Sequence, residues 1–203
     1  VLIFDTGKKR IIDTPSISGG LGSDDTQFKN NTQVNVGSDG KIYVADSGNH
    51  RIKIYSPSYE YLGQIGVTGS SGKTTTQFYS PRGVAADVNG NIYVGDRYNH
   101  RLVKYGPDMV YIKEIGGDYA DGDYQFKYPG NIEVGSDGFV YVADKLNHRI
   151  QKFTRDLVYV RTYGGNGSGS ALNQLAHPMG LVVDIDSNIY VADTYNHRIL
   201  KFN

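Results

Sequence analysis

Cysteine and tryptophan are absent from this chain of 203 residues, and proline and methionine number only 6 and 2. Without cysteine there is no disulfide, no thiolate metal ligand and no cysteine nucleophile, which leaves the compartment open. No apolar run approaches the roughly 20 residues of a spanning helix and no leader pattern is visible, so no membrane insertion is expected. Charge of neither sign prevails: 21 basic and 21 acidic residues are scattered rather than blocked. That balance argues against a dedicated nucleic-acid binder. Also missing are a Gly-x-Ser-x-Gly elbow, a His-Glu-x-x-His pair and a phosphate-binding glycine loop, so the chain carries no familiar catalytic signature.

What is present is β chemistry. Glycine (26) and tyrosine (17) are abundant, and short β-branched and aromatic runs alternate with Gly/Asp/Asn/Ser clusters. No stretch keeps a helical period for ten residues. This is the pattern of an all-β chain of short strands.

One phrase recurs four times: YVADSGNHRIKIY from Tyr43, YVGDRYNHRLVKY from Tyr93, YVADKLNHRIQKF from Tyr141 and YVADTYNHRILKF from Tyr190. Its closing aromatic falls at residues 4, 55, 105, 153 and 202, in steps of 51, 50, 48 and 49 residues. The units are approximately 1–51, 52–101, 102–149 and 150–198, with 199–203 starting another, and all belong to one domain, 1–203. Each unit reads as four strands, such as 83–87, 91–96, 100–105 and 111–116, with Asp-Gly or Asn-Gly in a two-residue turn between the first two. Four antiparallel strands at a period of 40 to 50 mark a β-propeller blade.

The phrase Ile-Tyr-Val-Ala-Asp-x-x-Asn-His-Arg-Ile-x-Lys-Phe, preceded by a stretch such as Pro81-Arg82-Gly83-Val84-Ala85-Ala86-Asp87, resembles the NHL repeat, in four registers over essentially the whole chain. The resemblance implies a propeller, usually of five or six blades, of which about four are present here. Val1–Phe4 aligns with 52–55, so both ends fall on a third strand. The expectation is that further sequence, or another copy of the chain, completes the ring. Relatives of this repeat serve as protein-binding modules, as RNA-binding modules and, less often, as enzymes, so the resemblance implies no single activity.

A repeated motif calls for a repeated explanation. Asp46, Asp96, Asp144 and Asp193 are placed to accept backbone N–H bonds and to pair with Arg51, Arg101, Arg149 and Arg198, while the asparagine between them takes the left-handed turn. His50, His100, His148 and His197 are then flat hydrogen-bonding spacers between blades. They lie off the axis and at least about 10 Å apart, too far to share a metal. The motif is read as structural, and no catalytic residue is assigned.

Function is sought where the copies differ. The connections 16–32, 67–80, 117–128 and 165–177 should share a face with the variable pairs of the Asp-x-x-Asn turns. On that face Arg97, Tyr98, Lys145, Leu146 and Tyr195 form the expected binding surface. Glu133 stands on a first strand where two copies are apolar, and His177 stands at the mouth of another. Asp118, Asp121 and Asp123 form an acidic loop able to fold around a hard cation, but without the spacing of a recognised calcium loop.

The leading expectation is a non-enzymatic binding scaffold without a required cofactor, its partner a protein or glycan or another copy of the chain. The first alternative is a propeller lyase or hydrolase with Ca²⁺ or Zn²⁺ on the axis near Glu133 and His177. The second is an extracellular structural or assembly subunit; an extracellular or cell-surface setting is slightly favoured by the Tyr-, Asn- and Gly-rich composition. RNA binding ranks last, because Asp118, Asp121 and Asp123 oppose Arg82, Arg97, Lys127 and Lys145.

Overall fold

The computed structural model describes residues 3–5, 10–12, 20–165 and 167–203; the connection 16–32 is thus described from residue 20 onward, and Val1 and Leu2 of the opening alignment lie outside the described residues. Strands β1 (Ile3–Asp5) and β2 (Arg10–Ile12) pair as a hairpin. Three four-stranded sheets follow: β3–β6 (Asn31–Val36, Ile42–Asp46, Arg51–Tyr55, Tyr61–Ile65), β7–β10 (Pro81–Ala86, Ile92–Asp96, Arg101–Tyr105, Tyr111–Gly116) and β11–β14 (Pro129–Val134, Val140–Asp144, Arg149–Phe153, Tyr159–Gly164). A three-stranded sheet, β15–β17 (Pro178–Val183, Ile189–Asp193, Arg198–Phe202), ends the chain. Within these sheets the strands pair antiparallel with their neighbours in sequence, and the first strands β3, β7, β11 and β15 pack side by side, which makes the sheets blades of a β-propeller. The sequence units, cut after the arginine, divide each blade one residue into its third strand.

The blades cohere because the second strands of the three four-stranded sheets, β4, β8 and β12, are buried on both faces. In β8, Ile92 and Val94 pack back against Tyr43, Ala45 and Ile52 of the preceding blade, while Tyr93 packs forward against Val140 and Phe153 of the next. The same alternation joins Tyr141 and Ile150 to Leu181 and Val191. Gly83 shows how closely the inner strands approach: a Cβ there would lie 2.1 Å from the Gly130 carbonyl oxygen.

The hairpins between first and second strands depart from the two-residue turn expected. The Gly37 N–H donates to the Lys41 carbonyl and the Gly40 N–H to the Gly37 carbonyl, both at 2.9 Å. Only Gly40, Gly90 and Gly138 of these turns are left-handed (φ +77°, +79° and +78°), with Ser187 (φ 65°) in the fourth copy, so one residue rather than two has positive φ. That is a wider loop, a turn closed by a single left-handed residue.

Candidate functional site

The Asp-x-x-Asn-His-Arg motif is a clasp within the blade. Asp96 is fully buried; one carboxylate oxygen accepts the Tyr79 N–H at 2.7 Å, and the other accepts from Asn99 Nδ2 at 2.7 Å and Arg101 Nε at 2.8 Å. Arg101 spends its other nitrogens on the Thr74 and Gln77 carbonyls and on the Glu114 carboxylate. The arrangement recurs around Asp46, Asp144 and Asp193. The clasp thus ties the connection that enters each blade to the blade's second and third strands. The Asp–Arg pairing is the one expected, but the accepted N–H comes from the incoming connection, not from the turn itself.

The histidine, not the asparagine, takes the left-handed conformation: His50, His100, His148 and His197 have φ of 60°, 54°, 54° and 53°. Asparagine is retained for a different reason, since its side-chain amide bridges the aspartate and a carbonyl of the incoming connection, as Asn49 does with Asp46 and Gly22. Left-handed geometry aims the imidazole at the next blade. The Nδ1 atoms of His50, His100 and His148 accept the backbone N–H of Ser80, Tyr128 and His177 at 3.1, 3.4 and 3.2 Å. Acceptance requires an unprotonated Nδ1, and burial, the largest cause, holds all three imidazoles below their usual pKa.

The variable turns and the incoming connections do share one face. Tyr98, Leu146 and Tyr195 donate their N–H groups to the carbonyls of Tyr79, Lys127 and Ala176 at 3.1, 3.1 and 3.0 Å. Tyr98 meets Tyr79 and Tyr128 at ring-centroid distances of 4.9 and 5.4 Å, and Tyr128 meets Tyr119 at 5.8 Å and His100 at 4.9 Å. The Arg97 guanidinium lies 4.8 Å from the Tyr98 ring and 5.5 Å from that of Tyr128. His177 lies between His148 (4.8 Å) and Tyr195 (4.1 Å), both near parallel to it. Of the residues singled out in the sequence, Arg97, Tyr98, Lys145, Leu146, Tyr195 and His177 therefore do lie on this face. Sequence reasoning missed Tyr79, Tyr119 and Tyr128, although all three stand in the variable connections where their neighbours were sought.

Nearer the axis, Thr32, Gln33, Arg82, Asn131, Met179 and Gly180 line a mouth of about 200 Å³. First strands are sheet edges, with backbone groups that no further strand pairs. Gln33 caps several of them, accepting the Val84 and Ile132 N–H groups at 3.2 and 3.3 Å and donating to the Ile132 carbonyl at 2.8 Å. Asn35 and Asn131 accept from Ala86 and Leu181 in the same way. Glu133, one residue pair further along β11, has no hydrogen-bond or ion-pair partner among the described residues, and burial pushes its pKa up to about 7.

The acidic loop does fold around a cation, but the cation is an arginine. The Asp121, Gly122 and Gln125 carbonyls accept from the Arg149 guanidinium at 2.7 to 2.9 Å. The Asp121 carboxylate turns outward to Lys127 at 3.4 Å and is 81% exposed. Among the described residues no three histidines or carboxylates gather closely enough to hold a metal.

A family model for the NHL repeat matches residues 34–55, 78–105, 126–153 and 175–202. The chain belongs to the NHL-repeat family. No curated protein matches it in sequence. Among solved structures it is similar to a streptogramin B lyase at TM-score 0.59 and 20% identity, over 84% of this chain and 53% of the lyase. It is similar to a protein of unknown function from Bacteroides thetaiotaomicron at TM-score 0.63 and 19% identity, over 84% of this chain and 47% of that one. Hydrazine synthase of Kuenenia stuttgartiensis matches at TM-score 0.60 and 14% identity, over 87% of this chain and 45% of the synthase. The chain spans about half the length of these structures, and at such identity they share its fold alone.

Proposed function

We propose that this NHL-repeat propeller is a binding module that takes a protein segment on the face formed by the Asp-x-x-Asn turns and the incoming connections. One observation carries the reading: residues drawn only from variable positions, Tyr79, Tyr98, Tyr119 and Tyr128 with Arg97, form one aromatic and cationic patch across two blades. The first three rings are 46%, 39% and 55% exposed, an unusual outlay of aromatic surface for a face with no partner. Tyrosine and arginine are the side chains that anchor interfaces best, since they present large rigid area with a polar end. The invariant motif, by contrast, is consumed in holding blades together. Catalysis at the axis has less support, because Glu133 has no partner to activate it and the His177 ring is stacked between His148 and Tyr195.

A peptide display library panned on the native protein and on Tyr98→Ala tests the proposal. The expected result is a family of peptides captured by the native protein and at least roughly tenfold weaker on the variant. Failure to enrich any peptide, or enrichment indifferent to Tyr98, overturns it.

A further inference from the structure

We propose that the axial mouth of this face is an oxyanion site, in which Arg82, Arg97 and Lys145 receive a carboxylate or phosphate group of a compact ligand. The inference rests on the reading of that face as the binding surface and assigns its electrostatic centre.

Three cations from two neighbouring blades stand within electrostatic reach of one another, Arg82 in the lining of the mouth and Arg97 and Lys145 in the turns beyond it, without a counter-charge among the described residues. None of the three side chains has a hydrogen bond or an ion pair with a described residue, whereas Arg51, Arg101, Arg149 and Arg198 are each paired to an aspartate. The Arg97 Nε is buried and has no acceptor. Collecting partly buried cations is unfavourable in itself, because each loses water and repels the others. Burial is the largest cause lowering the pKa of Lys145, followed by the Arg82 and Arg97 charges, and burial followed by Arg97 lowers that of Arg82. A bound anion would act in the opposite direction, favouring the charged form of each.

Donor geometry favours an oxyanion over a halide. Arg82 lines the mouth with Asn131, whose Oδ1 is occupied by the Leu181 N–H, so that its amide nitrogen is left to donate. Guanidinium groups present paired N–H donors that match two oxygens of a carboxylate or phosphate. The size of the site and its rim argue for a compact ligand. The mouth holds about 200 Å³, and Asp121 stands outward on an adjoining loop, where it would repel a long polyanion. The Tyr98 ring, 39% exposed, lies 4.8 Å from the Arg97 guanidinium and offers the ligand's body an apolar bed.

Titration of the ¹⁵N-labelled native protein with succinate and, separately, with inorganic phosphate tests the proposal, with sodium chloride at matched ionic strength as the control. Saturable shifts of the Arg82, Arg97, Lys145 and His177 amides beyond the chloride control are expected with at least one of the two. A response to succinate alone assigns the site to carboxylates, and a response to phosphate alone to phosphate groups. Lys145→Gln, in a half-buried turn, and Arg82→Gln should each weaken binding roughly tenfold. Absence of any saturable shift in the native protein overturns the proposal, as does binding that both variants retain. Binding of a short oligothymidylate without binding of either small anion also overturns it, in favour of a strand of phosphates. Peptide capture that depends on Tyr98 while neither anion binds would refute this inference and leave the binding-module reading intact.

Discussion

Replacing Asp96 with alanine should be among the most damaging single changes available to this chain, and the reason is countable. The substitution removes three acceptor contacts at once: those to the Tyr79 N–H, to Asn99 Nδ2 and to Arg101 Nε. Asn99 retains the Gly72 carbonyl, and Arg101 retains Glu114 and two carbonyls, but the Arg101 Nε and the Tyr79 N–H are left buried with nothing to bond. Arg101 is only 1% exposed, so water cannot replace the carboxylate. Breaking a buried ion pair from one side costs about 3–5 kcal/mol. With a urea dependence of about 3 kcal/mol per M for a chain of this size, the midpoint should fall by about 1–1.7 M at unchanged slope, followed by far-ultraviolet circular dichroism. The four copies supply an internal control. Arg198 is 25% exposed, so Asp193→Ala should cost roughly half as much or less. An equal loss at Asp96 and Asp193, or a loss at Asp96 below about 1 kcal/mol, would refute the argument that desolvated pairing sets the cost.

Other outcomes follow from the same geometry. Glu133 has a pKa of about 7 against an ordinary 4.5, so the folded state holds its proton where the unfolded state has lost it, and stability falls as pH rises between those values. Glu133→Gln should therefore be neutral near pH 4 and stabilising by about 2 kcal/mol near pH 8, since each pH unit contributes at most about 1.4 kcal/mol and partial exposure reduces the total; equal effects at both pH values in urea melts would exclude a desolvated carboxylate. The histidines act in the opposite sense: with pKa values lowered by burial, His50, His100 and His148 contribute stability that is present above the ordinary value of 6.5 and lost as pH falls below it. In the Glu133→Gln background, the melting temperature should drop on acidification through that range, and less so in His100→Gln, whose amide oxygen can still accept the Tyr128 N–H without titrating. Gly83→Ala should destabilise by several kcal/mol, because its Cβ would meet the Gly130 carbonyl at 2.1 Å and the inner strands would have to separate; a melting temperature within a degree or so of the parent would show that they part easily.

The strands were legible because burial on both faces of the middle strands demands runs such as Ile-Tyr-Val-Ala-Asp, and a fourfold repeat removes the ambiguity of any one copy. Observed strands such as Ile92–Asp96 and Tyr111–Gly116 lie within a residue of those expected. The turns were less legible. Asparagine was assigned the left-handed residue on intrinsic preference, yet histidine takes it, because only there does an imidazole reach the backbone of the next blade. That contact joins residues some thirty apart, such as His50 and Ser80, and no local propensity encodes it. Gln33 was overlooked for the same reason: its three partners lie on two other first strands, and their distance in sequence hides the contact.

The repeat also explains where the unsatisfied chemistry had to be. A side chain present in all four copies can be matched by a partner present in all four, and Asp46, Asp96, Asp144 and Asp193 are matched in this way by arginine, asparagine and a backbone N–H. A side chain present in one copy has no partner repeated with it and must find one singly, as Gln33 does on the backbone of two other first strands. Arg82 stands where the other blades have Thr32, Gly130 and Met179, and Arg97 where two of the other three have Ser47 and Thr194. The blade supplies no carboxylate for either, since its own aspartate is already committed to Arg101. Arg82 and Arg97, without a paired carboxylate among the described residues, therefore remain open to ligands, and Arg82 stands where the first strands meet at the axis. Neutralising Arg82 and Arg97 together should then raise stability slightly rather than lower it, the reverse of what removal of any clasp arginine would do.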